Sequence, residues 1–250
     1  MKNSLRKMMA RKSPLVGTMV TLPSPETAEI LCSAGFDWFF IDLEHSAMSV
    51  RDAQSILQAA SPQVACVIRV PSNDEIWIKK CLDIGASGII VPQIQSAEEA
   101  AQAVQWCRYP PKGSRSVGIA RAQGYGASFK AYVDSANAET AVILQIEHIN
   151  AIHNITSIVG IPGIDCLFIG PYDLSASMGK MGQVNDPEVR AAISKVKTCA
   201  DASDIPTGIF GMTPGAVRPY IDDGFALIAV SLDTMILGDA AKAIRDASGV

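Results

Sequence analysis

Ala141-Val142-Ile143-Leu144-Gln145-Ile146-Glu147 is an apolar run that ends on a carboxylate and leads directly into a helix-like segment. Its nearly unbroken apolar character, in place of strict alternation, marks a strand covered on both faces, as in a parallel sheet. Two other segments repeat the arrangement: Phe36 to Asp42, continuing into Leu43-Glu44-His45, and Leu167-Phe168-Ile169-Gly170-Pro171-Tyr172-Asp173. Proton-handling groups thus recur just after buried strands, where an α/β enzyme keeps its chemistry. A shared site is the leading reading.

Working outward, short β-rich runs bounded by Gly, Pro or Asp fall at Leu15 to Thr21, Phe36 to Asp42, Val64 to Val70, Gly88 to Pro92, Ala141 to Glu147, Asp165 to Gly170, Thr207 to Phe210 and Ala226 to Ser231. Helical spacing occupies Pro25 to Ala34, Val50 to Ala60, Asp74 to Ile84, Ala97 to Cys107, Asn150 to Val159, Pro187 to Ala202, Pro214 to Asp223 and Leu232 to Ala247. Eight strand–helix units over residues 1–250 predict one (β/α)8 TIM-barrel domain, with an open doubly wound sheet as the less fitting alternative. One connection, Arg108 to Thr140, is long and rich in Gly and Pro, and carries a short amphipathic piece around Phe129 to Asn137. By chain order it starts at the face opposite the barrel mouth, and the sequence leaves open whether it reaches over as a lid.

The chain has 250 residues, 48% of them hydrophobic and 18% charged, with a net charge of −4. That composition suits a compact core and supplies no basic field for nucleic acid. Six cysteines, Cys32, Cys66, Cys81, Cys107, Cys166 and Cys199, are scattered without metal-ligand spacing and read as small core residues in a reducing compartment. The basic stretch Met1 to Lys12 has too short an apolar cluster for an export signal. No run approaches the roughly 18 apolar residues of a membrane span, so a cytoplasmic protein is expected.

In a parallel barrel the strand ends converge on one mouth, so Asp42, Arg69, Glu147 and Asp173 can meet despite their separation. Glu147 and Asp173 are oxygen donors suited to Mg²⁺ or Mn²⁺ more than to Zn²⁺; the residues leave equally open an ion pair between Glu147 and Arg69. Histidine is the side chain suited to proton transfer near neutral pH, which makes His45 a candidate base, whereas His148 and His153 read as bystanders. Arg69 offers a fork for a carboxylate or enolate oxygen, and Gln145 shares a strand side with Glu147. Neither a GxGxxG fingerprint nor a P-loop occurs between Gly118 and Gly126, there is no GxSxG elbow, and no lysine sits where a Schiff-base lysine is expected.

Taken in order, Gly17-Thr18-Met19, Phe36-Asp37-Trp38, Asp42-Leu43-Glu44-His45, Val67-Ile68-Arg69-Val70-Pro71, Cys81-Leu82-Asp83-Ile84-Gly85-Ala86 and Val91-Pro92 form a recognisable set with three later segments. Those are Tyr109-Pro110-Pro111-Lys112-Gly113-Ser114-Arg115, Gln145-Ile146-Glu147 and Phe168 to Ser175. From about Gly17 to the last helix the chain resembles the HpcH/HpaI family of class II, metal-dependent pyruvate aldolases of the phosphoenolpyruvate/pyruvate superfamily. The resemblance implies a TIM barrel whose last helix is exchanged between subunits of a homohexamer, and a divalent cofactor: Mg²⁺, Mn²⁺ or Co²⁺. It implies Glu147 and Asp173 as metal ligands, His45 as proton acceptor, Arg69 as transition-state stabiliser and Asp83 as the acid that raises the basicity of His45. It further implies that Gln145 and the Tyr172-Asp173 backbone hold pyruvate, with Asp42 and Arg115 in family motifs of less defined role. The expected reaction is cleavage of a 4-hydroxy-2-oxo acid, of the 2-keto-3-deoxy sugar acid or 4-hydroxy-2-oxo diacid type, to pyruvate and an aldehyde. The alternatives are another pyruvate-enolate carbon–carbon lyase, or a non-catalytic metabolite-binding relative. Two positions depart from the family pattern: Tyr172 stands where a small residue is usual, which would crowd the pyruvate pocket, and His148 stands where Thr is usual.

Overall fold

A computed structural model of the chain describes residues 4–10, 13–60 and 62–249. The basic stretch Met1 to Lys12 lies partly outside the described residues, at positions 1–3, 11 and 12. A short helix, α1 (Leu5–Met9), precedes β1 (Leu15–Val20), α2 (Pro25–Ser33), β2 (Trp38–Asp42), α3 (Val50–Ala60), β3 (Ala65–Arg69), α4 (Glu75–Asp83), β4 (Gly88–Val91) and α5 (Ala97–Cys107). Then follow α6 (Phe129–Glu139), β5 (Ala141–Ile146), α7 (Ile149–His153), α8 (Ile155–Val159), β6 (Cys166–Ile169) and α9 (Pro171–Ser177). The chain closes with α10 (Pro187–Asp201), β7 (Thr207–Gly211), α11 (Pro214–Asp222), β8 (Leu227–Leu232) and α12 (Asp233–Ala247).

Each strand pairs in parallel with the next, and β8 pairs with β1, so the sheet closes into an eight-stranded barrel. This is the expected (β/α)8 architecture, and closure excludes the open sheet. Three details differ from expectation. The predicted helix from Asn150 to Val159 is two helices, α7 and α8, because Asn154 departs from helical geometry (φ −96, ψ 6). α1 and α9 are additional: five and seven residues are too short to show a helical apolar period.

The helices begin close to the mouth because their first residues satisfy the free amides there. Ser24, Asp186 and Thr213 each cap a helix whose next residue is proline, and Ser96 with Glu99 forms a reciprocal capping box at α5. Short, capped connections hold the strand-end side chains on rigid elements.

Inside the barrel, one parity of each strand supplies the core: Trp38 and Phe40 of β2, Val67 of β3, Ile143 of β5, and Phe168 of β6 pack together. Trp38 sends its indole N–H to the carbonyls of Leu15 and Ile228 at 3.3 and 3.2 Å, and its bulk requires glycine opposite, since a Cβ on Gly17 would lie 2.6 Å from the indole Nε1. Continuing that parity toward the mouth brings Asp42, Arg69, Gln145 and Gly170 to the same lumen.

The opposite face has a floor. Leu5 and Met9 of α1 are buried against the interior cluster, while Arg6 pairs with Asp165 at 2.6 Å and Ser4 donates to the Glu139 carbonyl at 2.9 Å. The long connection stays on this face: Arg108 donates to the Thr140 carbonyl and pairs with Asp165, both at 2.7 Å, and Arg121 donates to the Ile84 carbonyl at 2.8 Å. It is not a lid over the mouth.

Helix α12 is exposed along most of its length, including Ile236, Leu237 and Ile244, and its contacts within the chain are mainly with β1 and β8. All six cysteines are free thiols, four of them buried, as expected for core residues. Burial pushes the thiols of Cys66, Cys81 and Cys107 up to about 12, which makes them unreactive. Among the described residues no helix is long and apolar enough to cross a membrane.

Candidate active site

Asp42 and Arg69 are register partners at the ends of β2 and β3. Arg69 donates Nε to Asp42 Oδ1 at 2.9 Å and Nη2 to Asp42 Oδ2 at 2.8 Å, and its guanidinium stacks 5.1 Å from the Phe40 ring centre. Burial pushes the Asp42 carboxyl up, but Arg69 and the amides of Glu44 and His45 outweigh it, so the group lies below its ordinary value. Burial also opposes the charge on Arg69, and Asp42, Glu44 and Glu147 more than compensate. The arginine is therefore a fixed cation. Among the described residues none accepts a hydrogen bond from its Nη1, which is available to an anionic oxygen.

Asp42 also organises the following loop: its Oδ1 accepts the Glu44 amide at 2.9 Å and the His45 amide at 3.4 Å. Glu44 Oε2 lies 3.1 Å from Arg69 Nε and 4.0 Å from His45 Nε2. Desolvation, opposed by Arg69 and reinforced by Glu147, Asp42 and Asp173, lifts the Glu44 carboxyl to about 7. The His45 side chain is 66% exposed at the mouth.

Glu147, just past β5, is buried; its Oε1 accepts the Gln93 amide at 2.9 Å, and its Oε2 accepts from Gln145 Nε2. Desolvation raises its carboxyl against the pull of Gln93, Gln145 and Arg69, and the neighbouring Asp173 raises it further. Arg69 contributes only charge at a distance, because its ion pairs go to Asp42 and Glu44; the reading of Glu147 as simply the arginine's partner does not hold. Asp173 is exposed in the first turn of α9.

A divalent cation fits this corner on three grounds. The donors are hard oxygens, Gln145 Oε1 is buried with no partner, and Gly170 keeps space beside Glu147, where a Cβ would come within 2.8 Å of Oε2. Among the described residues no group of three or more His, Cys, Asp or Glu side chains is arranged to hold a metal ion, so Glu147 and Asp173 alone would not complete a coordination sphere.

The two departures from the family pattern have structural explanations. Tyr172 is 54% exposed and its ring lies beside Gly182, whose Cβ, if present, would be 3.2 Å from the phenol oxygen; the residue lines the rim toward the loop after α9. His148 caps α7, its Nδ1 accepting the Asn150 amide at 3.1 Å, a task a threonine hydroxyl performs equally well.

Asp83 is not brought to His45 within one chain. It ends α4, on the face opposite the mouth, and pairs with Arg115 Nη2 at 2.7 Å. Arg115 is buried, with its guanidinium 4.5 and 5.7 Å from the ring centres of Tyr109 and Tyr132. Conversely, the anchoring role of Asp42 and the contacts of Glu44 were not apparent from sequence. Their signal was the inward parity of β2. The Gln93 amide had none, since nothing in a glutamine side chain announces its backbone.

The HpcH/HpaI aldolase/citrate lyase family profile matches residues 16–240. The chain is 40% identical over 241 residues to a hydroxypyruvate/pyruvate aldolase of Paraburkholderia phytofirmans, covering 93% of this chain and 92% of the relative. It is 39% identical to a 2-dehydro-3,6-dideoxy-6-sulfogluconate aldolase of Pseudomonas putida over 232 residues, covering 92% and 91%. Its fold superimposes on a crystal structure of an HpcH/HpaI aldolase/citrate lyase family protein from Burkholderia cenocepacia with TM-score 0.94 at 35% identity, covering 99% of this chain and 100% of that one. With its profile, its full-length relatives and its closed barrel in agreement, the chain belongs to the HpcH/HpaI aldolase/citrate lyase family.

Proposed function

We propose that this protein is a class II aldolase that reversibly cleaves a 4-hydroxy-2-oxo acid to pyruvate and an aldehyde. The observation that carries the reading is the pairing, in one mouth, of a pinned cation, Arg69, with a buried carboxylate, Glu147, beside the exposed Asp173. Relatives named as aldolases of pyruvate and of a sulfogluconate derivative support it.

Glu147 and Asp173 would hold a divalent ion, Mg²⁺, Mn²⁺ or Co²⁺, which when bound supplies positive charge to the 2-oxo oxygen as electrons move onto it. Arg69 Nη1 presents a second positive donor to the same developing charge, in a geometry Asp42 has already fixed. Gln145, held against Glu147, orients the oxo acid. In α9 the Leu174 amide bonds back to Gly170, so the amides of Tyr172 and Asp173 ahead of it have no intrahelical acceptor and can receive the pyruvate carboxylate. His45 takes the proton from the 4-hydroxyl, and in the reverse direction protonates the aldehyde oxygen as the new bond forms.

Asp83 serves His45 only if a second copy presents it at the mouth. The uncovered apolar residues of α12 support assembly with exchange of that helix, the hexamer of the family being the expected form. The half-exposed position of Tyr172 beside Gly182 favours the catalytic reading over a non-catalytic metabolite-binding one.

The test is pyruvate release from 4-hydroxy-2-oxo acids with added Mg²⁺, Mn²⁺ or Co²⁺, before and after chelation. Activity that persists after complete metal removal would reject the mechanism. Metal-dependent exchange of the pyruvate methyl protons, followed by NMR, is expected whichever aldehyde is the partner.

A further inference from the structure

Gln93 is one of four described non-glycine residues with positive φ, at 58°. It stands just past β4 at the barrel mouth, in the region that L side chains avoid and that asparagine or glycine tolerates best. Its side chain is exposed and makes no hydrogen bond to the described residues, so nothing about the glutamine side chain accounts for the conformation. The backbone does: the Gln93 amide donates to Glu147 Oε1 at 2.9 Å.

The segment is pinned on both sides of the strained residue. Pro92 and Ile94 are buried. Downstream, the Gln95 amide donates to Glu99 Oε2 at 2.6 Å, the Gln95 carbonyl accepts from Asn154 Nδ2 at 2.9 Å, and its side chain accepts from Asn150 Nδ2 at 3.0 Å. Such bracketing is what keeps a residue in a sparsely populated conformation, and strain of this kind concentrates at functional sites. Among the described residues Glu147 has two hydrogen-bond donors, Gln93 N–H on Oε1 and Gln145 Nε2 on Oε2. Without the first, the carboxylate is held through one oxygen alone, by Gln145 Nε2 on Oε2, and its plane is no longer fixed at two points.

We propose that Gln93 is a positioning residue: its left-handed backbone aims one amide at Glu147 and thereby sets the carboxylate plane for cation binding, while its side chain is dispensable. This rests on the reading of Glu147 as a cation ligand. It makes a specific demand on backbone conformation at a position where side-chain chemistry is irrelevant. Gln93→Gly and Gln93→Asn tolerate positive φ and keep the N–H in place. Gln93→Val is β-branched, resists positive φ and turns the N–H away from Glu147.

The experiment measures Mn²⁺ affinity of the full chain by calorimetry, without substrate, alongside the melting temperature. Gln93→Gly and Gln93→Asn are expected to bind Mn²⁺ within about twofold of the unmodified protein. Gln93→Val is expected to bind about 10- to 100-fold more weakly, the usual loss when a group supporting a metal ligand is removed. Should Gln93→Val fail to fold, an ester in place of the Pro92–Gln93 amide deletes only the N–H and is expected to show the same weakening. Unchanged affinity in the folded Val or ester protein overturns the proposal, as does a loss in Gln93→Gly equal to that in Gln93→Val, which would assign the effect to the side chain. Glu147→Gln separates this inference from the metal reading. If it abolishes Mn²⁺ binding while the Gln93 variants do not change it, only the positioning role fails; if it leaves Mn²⁺ binding intact, the ligand assignment fails and the inference with it.

Discussion

Asp42 and Arg69 face each other across β2 and β3 and close a two-point ion pair of 2.9 and 2.8 Å, with Asp42 1% and Arg69 6% exposed. Removing one partner of a buried pair leaves an uncompensated charge, so Asp42→Ala is expected to cost about 3–5 kcal/mol in urea denaturation. Asp42→Asn keeps an acceptor and should cost less. Both should slow turnover, because the amides of Glu44 and His45 lose a charged anchor. Asp42→Ala with stability within about 1 kcal/mol of the parent would contradict this account.

Gly170 and Glu147 form a close contact that leaves no room for a methyl group. A Cβ at Gly170 would meet Glu147 Oε2 at 2.8 Å and its Cβ at 3.0 Å, in a buried region with little freedom to yield. Gly170→Ala should therefore destabilise the protein by about 1–3 kcal/mol. It should also weaken Mn²⁺ binding. Normal affinity in calorimetry would show that the placement of Glu147 against Gly170 does not set cation binding.

His45 supports no packing. With its side chain 66% exposed, His45→Asn should shift stability by no more than about 0.5 kcal/mol, while lowering kcat by about 10²- to 10⁴-fold. Melting temperature and kcat measured on the same preparation check both halves. A near-normal kcat would remove His45 from the mechanism.

Glu44 should impose a pH dependence on the stability of the metal-free protein. Its folded carboxyl titrates at about 7 against an ordinary 4.5, so between those values the native state binds the extra proton. On this group's account stability falls as pH rises from about 4.5 to about 7, and Glu44→Gln should flatten that slope. Adding Mg²⁺ should shrink it too, since Glu147 and Asp173 help raise Glu44 and a bound cation offsets their charge. A slope identical in Glu44→Gln and parent, from thermal melts across the range, would reject the assignment.

The strands were legible because burial on both faces leaves an unmistakable apolar run, and α2, α10 and α11 because a capping side chain followed by proline marks a helix start. Short elements carried no such signal: α1, which plugs the floor, and α9, which presents Asp173, are each under two or about two turns long. Motif resemblance brought His45, Arg69, Gln145, Glu147 and Asp173 together in prospect; the first four come from loops or strand ends on the mouth side of the barrel and Asp173 from the first turn of α9. Asp83, from the far end of α4, does not join them in one chain.

By itself the sequence determined the number, order and parallel character of the strands, and which side chains end them, because apolar period and turn residues are local properties. Only the tertiary structure decided who pairs with whom. Arg69 could have turned to Glu147 or to Asp42, and barrel closure with the β2–β3 register chose Asp42. Whether the connection after α5 was lid or floor, and where Tyr172 points, depended likewise on contacts between segments far apart in the chain. A left-handed backbone at Gln93 has no side-chain signature at all; it exists because packing on both sides holds it there.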